Sequence, residues 1–130
     1  MSVIVRFTAL DATHRHLAHW VAGVGRKRGH EVHIEWTVPG TSHPVDVAWN
    51  VAGEWHAFEI CVSCTDNIVS HLGACLVESL VVASVTVIAG QASSLEPLRA
   101  VVDAESTLTD VRHRVRFEVI GGYLVELFGV

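Results

Sequence analysis

Asp46 and Glu59 are the two acidic residues whose spacing best suits metal-dependent chemistry. Each lies between apolar residues in a strand-like segment, and a turn at Gly53 separates the two segments, so a β-hairpin can bring the carboxylates side by side. Two carboxylates beside a backbone carbonyl, here that of Ile60, form an oxygen-rich site that suits Mg²⁺ or Mn²⁺. Such an ion activates water and stabilises the charge that develops in phosphodiester hydrolysis. The alternative is two solvated acids on one strand face.

The elements that must position these acids follow from hydrophobic periodicity and from turn residues. The pattern predicts a first helix that begins at Asp11 or Thr13 and ends near residue 28, followed by strands at 30–38, 45–49 and 55–63. A second helix, capped by Thr65 or Asp66, is predicted to end near residue 80 and to lead into a strand at 81–89. A third helix from Ser93 to about residue 102 and a last strand at 111–120 complete the prediction. Alternation places Val32, Ile34 and Trp36 on one side of the first strand. It likewise places Val45 and Val47 on the face opposite Asp46.

The order of these elements predicts how the strands pair. Three consecutive strands with short turns imply antiparallel pairing, and a helical crossover from the third to the fourth strand implies parallel pairing. The sequence therefore predicts one α/β domain over residues 1–130, with a mixed central sheet and the order α-β-β-β-α-β-α-β.

In this order, and in the segments Pro44-Val45-Asp46 and Glu59-Ile60-Cys61, the chain resembles the PD-(D/E)XK nuclease superfamily, which has the restriction-endonuclease-like fold. That family's core is a helix, a three-strand meander, a helix and a strand, with an Asp at the end of the second strand and Glu-x-Lys in the third. The resemblance covers about residues 10–90 and is strongest to small restriction-type or mobile-element-associated domains. Asp46 and Glu59 match the family's acidic positions.

The resemblance implies a function as well as a fold. It implies an endonuclease-like domain in which Mg²⁺ or Mn²⁺ is held by Asp46 and Glu59 and DNA is cleaved. The alternative is a catalytically inactive descendant that binds DNA or a protein partner, including a second copy of the chain.

Cys61 departs from the family pattern, because it stands where the family has the lysine that positions the attacking water. A thiol near two carboxylates stays neutral at pH 7, so the resemblance implies weak or degenerate cleavage. Lys27 is the only lysine in the chain and is predicted at the end of the first helix. Three histidines, His16, His19 and His71, could assist the attacking water in place of the family's lysine. Glu35 in the first strand could add a further carboxylate to the site, as in some members of the family.

Two basic groups predict contacts with DNA phosphates: Arg26, Lys27 and Arg28 at the end of the first helix, and Arg112, Arg114 and Arg116 alternating along the last predicted strand. For the second group the alternative is a solvated edge strand, since charge on an edge prevents aggregation.

Residues 1–30 hold five basic residues and one acid, a net charge of +4, whereas residues 31–130 hold four basic residues and thirteen acids, a net charge of −9. A uniformly basic nucleic-acid surface is therefore excluded, and only a local one is predicted.

The cysteines and the apolar segments predict the cellular setting. Three cysteines, an odd number, argue against a disulfide framework and for a reducing compartment. Cys61, Cys64 and Cys75 have the ligand type of a zinc site together with His71, but zinc pairs usually sit on a tight turn, so buried reduced cysteines are predicted and zinc is not expected. No apolar run approaches the roughly 18 residues of a membrane span, so no membrane association is expected and the cytoplasm is the predicted location.

Overall fold

Five strands form one mixed sheet in the order β1-β2-β3-β4-β5, and the helices pack on both of its faces. The computed structural model describes residues 9–61, 67–89 and 92–119. The elements are α1 (Ala9–Lys27), β1 (Glu31–Thr37), β2 (Pro44–Val51), β3 (Glu54–Cys61), α2 (Ile68–Gly73) with a π-helical continuation (Ala74–Glu78), β4 (Val82–Ala89), α3 (Ala92–Ala104), a 3-10 helix (Ser106–Arg114) and β5 (Val115–Val119). The predicted single α/β domain with a mixed sheet is confirmed.

The strand directions follow from the lengths of the connections. β1, β2 and β3 form an antiparallel meander because short turns join them, and the predicted hairpin of β2 and β3 is present. β4 runs parallel to β3 after the crossover through α2, and β5 runs parallel to β4 after α3 and the 3-10 helix. This arrangement places the end of β3 between α1 on one face of the sheet and α2 on the other.

One hydrophobic cluster, the α1-side core, fills the space between α1 and the sheet. Leu17, Val21 and Val24 form the apolar face of α1 and are buried against β2 and β3. The indole of Trp49 passes so close beneath α1 that a Cβ at Gly25 would lie 2.5 Å from its Nε1 atom. A residue without a side chain is therefore required at this crossing.

The second cluster, the α2-side core, lies on the opposite face and is larger. Strand residues such as Ala57 and Val85 pack there against Leu72 of α2 and Leu98 of α3. Leu108 of the 3-10 helix is completely buried in the same cluster. β4 contributes buried residues to both clusters, which explains why its sequence is apolar almost throughout.

Glu35 interrupts the alternation of β1. Its φ of 53° lies in the left-handed region, which a residue with a side chain adopts at a cost. Val32 and Ile34 consequently pack on the α1-side core, whereas Trp36 packs on the α2-side core. The prediction that Val32, Ile34 and Trp36 share one face is therefore wrong.

The side chains of the neighbouring strand, β2, also change from one face of the sheet to the other at this point. The paired residues Ile34 and Val47, and Trp36 and Val45, flank Glu35 and Asp46. Val47 belongs to the α1-side core and Val45 to the α2-side core. The predicted common face of Val45 and Val47 is wrong for the same reason.

The last predicted strand begins later than the sequence suggests. Residues 111–114 belong to the 3-10 helix, so Arg112, Arg114 and Arg116 do not alternate along one strand, and that prediction is wrong. Arg112 forms an ion pair with Asp103, and Arg114 donates hydrogen bonds to the backbone carbonyls of Val82 and Ala83. Both arginines therefore fasten the 3-10 helix to the domain.

Two predicted helix starts also change. α1 extends upstream to Ala9, so neither Asp11 nor Thr13 begins it, and α3 begins at Ala92, which places Ser93 inside the helix. The predicted caps of α2, Thr65 and Asp66, lie outside the described residues, as does Cys64. Within the residues that the structure describes, no helix has the length and apolar character that crossing a bilayer requires.

Candidate functional site

Asp46 lies where the pairing of β2 with β3 ends, one residue before the Val47–Phe58 pair. Its Oδ2 atom accepts a hydrogen bond of 2.7 Å from the backbone N–H of Ile60, and its Oδ1 atom lies 3.2 Å from Nε2 of His14 on α1. The carboxylate is therefore held in place on both sides. It faces α1 rather than α2.

Glu59 faces the other side of the sheet, towards α2. Its side chain is only 6% exposed. The Oε2 atom lies 2.8 Å from Nδ1 of His71, and the Oε1 atom lies 3.8 Å from Nε2 of His43, which precedes β2. The two imidazole rings are also adjacent, with centroids 4.2 Å apart. Glu59 is thus enclosed by two imidazoles rather than by a second carboxylate.

These three residues, His43, Glu59 and His71, form the His-Glu-His cluster. Each offers a ligand atom, and the three atoms lie within 4.8 Å of one another. Asp46 is not a member of this group. The structure therefore places the two acids that the sequence predicts as metal ligands in two different environments.

The electrostatics of Glu59 favour its charged form. Burial disfavours a charged carboxylate, but the imidazoles of His43 and His71 outweigh burial and hold the pKa of Glu59 below its ordinary value of 4.5. Oε1 of Glu59 and Nε2 of His43 are both buried, and neither has a hydrogen-bond partner among the described residues. Their separation of 3.8 Å is too long for a direct hydrogen bond. Two buried polar atoms facing each other in this way are suited to bind a cation between them.

A cavity of about 430 Å³ lies on the α1 face and contains Asp46. Its lining includes the predicted residues Glu35 and His19, together with His14 and Arg15. Two carboxylates and two imidazoles thus line one cavity beside the strained backbone of Glu35. His16 is not among these lining residues, and its ring instead stacks on Trp20, with centroids 6.4 Å apart.

The two cysteines that the structure describes, Cys61 and Cys75, belong to the α2-side core. Cys61 shares the strand face of Glu59, as expected for residues two apart, but it is buried among apolar side chains. Burial and the negative charge of Glu59 raise the pKa of the Cys75 thiol to about 12, so this thiol stays protonated. Neither Cys61 nor Cys75 forms a disulfide.

Sequence reasoning missed His43, and it did not name His14 among the candidate residues. His43 lies in the turn between β1 and β2, three residues before Asp46, where no periodic pattern indicates the direction of a side chain. The only available signal was the high number of histidines, nine in 130 residues. His71 was predicted to assist the site, and the structure places it directly against Glu59.

Comparison of the chain with protein-family models, with curated proteins and with solved structures finds no match. Its function is therefore inferred from the geometry of its own sites.

Proposed function

We propose that this chain is a metal-binding α/β domain in which the His-Glu-His cluster holds one divalent transition-metal ion. The observation that carries this proposal is the buried carboxylate of Glu59, which faces two imidazoles and retains an oxygen without a hydrogen-bond partner among the described residues. Leaving a buried polar atom unpaired costs about 1–3 kcal/mol. An ion at this position would satisfy both Glu59 and His43.

The donor atoms indicate the class of metal. Two imidazole nitrogens and one carboxylate oxygen suit Zn²⁺, Co²⁺, Mn²⁺ or Fe²⁺, whereas Mg²⁺ prefers oxygen ligands alone. The sequence argument against zinc concerned a site built from cysteines, and this cluster uses none. The side chains of His43 and His71 are 17% and 35% exposed, which gives an ion a route to the buried carboxylate.

Three protein ligands would leave a coordination position on the ion open for water or substrate. Catalytic zinc sites commonly have three protein ligands and one water, and the metal lowers the pKa of that water to about 7. We therefore propose hydrolysis as the reaction class that the cluster would support. Glu59 would supply the negative charge, and the two histidines would fix the orientation of the ion.

Zinc binding to the chelator-stripped protein tests the proposal. We expect one Zn²⁺ per chain, with affinity lowered by about 100-fold or more in His43→Ala, Glu59→Gln and His71→Ala, since even residues that only orient metal ligands change affinity by about 10–100-fold. Isothermal titration calorimetry measures both quantities, and Co²⁺ spectra report the coordination number.

His33→Ala is the matched control for this experiment. Nε2 of His33 lies 2.6 Å from Glu31, so it also forms a histidine–carboxylate pair, but that pair is exposed and no third metal-ligating residue joins it in the part of the chain that the structure describes. This variant should bind zinc as the unmodified protein does. Equal losses of affinity in His33→Ala and His71→Ala would contradict the proposal.

A second candidate function, a weak Mg²⁺- or Mn²⁺-dependent DNA endonuclease, is favoured by the Asp46 cavity. The cavity combines Asp46 and Glu35 with two histidines, and its carboxylates are hard oxygen ligands. The order of helix, meander, helix and parallel strand supports the resemblance to the PD-(D/E)XK superfamily. The alternative, a nuclease-like domain that binds DNA or a protein partner without cleaving, requires no metal at Asp46.

Cleavage of plasmid DNA with Mg²⁺ or Mn²⁺ tests this second candidate. We expect slow cleavage that Asp46→Ala lowers by about 100-fold, the size of effect seen when one electrostatic partner of a transition state is removed. His71→Ala should leave such cleavage unchanged, because His71 belongs to α2, on the face of the sheet opposite the Asp46 cavity. Cleavage that persists in Asp46→Ala would exclude this candidate without affecting the His-Glu-His cluster.

A further inference from the structure

A second cavity, which we call the basic cavity, lies on the α1 side of the sheet near the end of α1. It has a volume of about 320 Å³ and is lined by two arginines, two histidines and two hydroxyl-bearing residues: Arg28, Arg116, His30, His56, Ser84 and Thr86. None of the described residues that line it is acidic. We propose that the basic cavity binds a phosphate group, either of a small phosphate ester or of a nucleic-acid backbone.

The fold brings the two arginines to one place from distant parts of the chain. Arg116 of β5 lies opposite Thr86 of β4, and Thr86 lies opposite Phe58 of β3. Phe58 packs in the α1-side core, so Arg116 projects from the same face of the sheet. Arg28 follows the last residue of α1, and its guanidinium carbon lies 5.7 Å from the centre of the Trp49 ring. Each of the two predicted basic groups thus contributes one arginine to the same cavity.

The charges of these arginines are available to a ligand. Among the described residues no carboxylate forms an ion pair with Arg28 or Arg116, whereas Arg112 is paired with Asp103. A guanidinium group presents parallel N–H donors that match two oxygens of a phosphate. Two such groups on one cavity form a site for a doubly charged anion.

The remaining wall of the cavity is held in a fixed arrangement. Nδ1 of His56 lies 2.6 Å from the hydroxyl of Ser84, and its Nε2 atom lies 3.6 Å from the carboxylate of Glu54. His56 is therefore fixed from both sides, and it fixes Ser84 in turn. The basic cavity holds no member of the His-Glu-His cluster, so this inference stands independently of metal binding.

The test is a ¹H–¹⁵N NMR titration of the full chain with sodium phosphate, with chelator present and with sodium chloride at equal ionic strength as reference. We expect saturable shifts at the amides of Ser84, Thr86 and Arg116. Arg28→Gln and Arg116→Gln should each weaken phosphate binding at least about fivefold, because each removes a charge-assisted contact. Both side chains are exposed, so neither substitution disturbs the core.

Arg26→Gln is the matched control, since Arg26 is an exposed arginine of the same turn that does not line the cavity. It should bind phosphate within about twofold of the unmodified chain, since long-range attraction between exposed charges is screened by salt. Equal weakening in Arg26→Gln and Arg28→Gln would show non-specific attraction and overturn the proposal. Shifts in chloride as large as those in phosphate would overturn it as well.

Two further titrations distinguish the source of the phosphate. Adenosine monophosphate represents a small phosphate ester, and a ten-nucleotide single-stranded DNA represents a backbone. Tighter binding of the DNA, weakened by Arg116→Gln, assigns the basic cavity to nucleic acid, whereas equal or tighter binding of the monophosphate assigns it to a small ligand. Failure of both to shift the three reporter amides overturns the proposal.

Discussion

Saturating zinc is expected to raise the midpoint of thermal unfolding of the metal-free protein by about 8–13 °C. An ion that binds only the native state at 100 times its dissociation constant adds about 2.7 kcal/mol to the free energy of unfolding. For a domain of this size, each kcal/mol moves the midpoint by about 3–5 °C. The physical source is the His-Glu-His cluster, where Glu59 and His43 each have a buried polar atom that an ion would satisfy.

Differential scanning calorimetry with chelator and then with zinc measures this shift. The unfolded chain also binds zinc through its nine histidines and three cysteines, which reduces the effect. Glu59→Gln is the reference for that contribution, because it keeps every histidine and cysteine, and it should show little or no shift. His33→Ala should retain the full shift. A shift of equal size in Glu59→Gln and in the unmodified protein would place the zinc outside the cluster.

Trp49→Ala is expected to lower the free energy of unfolding by about 3–5 kcal/mol, the usual cost of removing a large aromatic side chain from a core. Trp49 is 5% exposed and packs against Phe58, with ring centroids 4.5 Å apart. Its Nε1 atom donates a hydrogen bond of 3.2 Å to the carbonyl of Val21. Removing the indole would leave a void beneath α1 at Gly25, where the helix passes directly over Trp49 and Val32.

Urea denaturation measures this loss of unfolding free energy, provided that its dependence on urea concentration is the same in the variant and the unmodified protein. Trp49→Phe separates the two contributions: it retains an aromatic ring and loses the hydrogen bond, so it should cost less than Trp49→Ala by about 2 kcal/mol. Val77→Ala is a surface control, since Val77 is 51% exposed, and surface changes usually stay within about 0.5 kcal/mol. A decrease of less than about 1 kcal/mol in the free energy of unfolding of Trp49→Ala would show that the packing of α1 on the sheet does not depend on Trp49.

The sequence alone determined the elements whose signals are local. The turns around β2 and β3, the apolar run of β4 and the helical periodicity of α1 each depend on neighbours a few residues away, so the presence of these elements and the hairpin of β2 and β3 are confirmed. The alternation within β2 is not confirmed, because Val45 and Val47 lie on opposite faces. The parallel pairing of β3 with β4 is also confirmed, because a helical crossover leaves few other topologies. The resemblance to the PD-(D/E)XK superfamily remains a proposal.

The tertiary structure decided the direction of the side chains wherever the backbone leaves regular geometry. Glu35 in a left-handed conformation moved Trp36 to the opposite face, which alternation cannot indicate. The spacing of Arg112, Arg114 and Arg116 imitates a strand, but burial of Leu108 and the bonds of the two arginines favour a 3-10 helix over residues 106–114.

The candidate site depended most strongly on tertiary structure. Sequence spacing selected Glu59 and His71 but assigned Glu59 to a pair with Asp46. A hydrogen bond from the Ile60 amide holds Asp46 on the α1 face, while the packing of α2 brings His71 to Glu59 and the turn before β2 supplies His43. These contacts join residues that are 12 to 16 positions apart, and only the packing of helices on both faces of the sheet decides which carboxylate meets which imidazole.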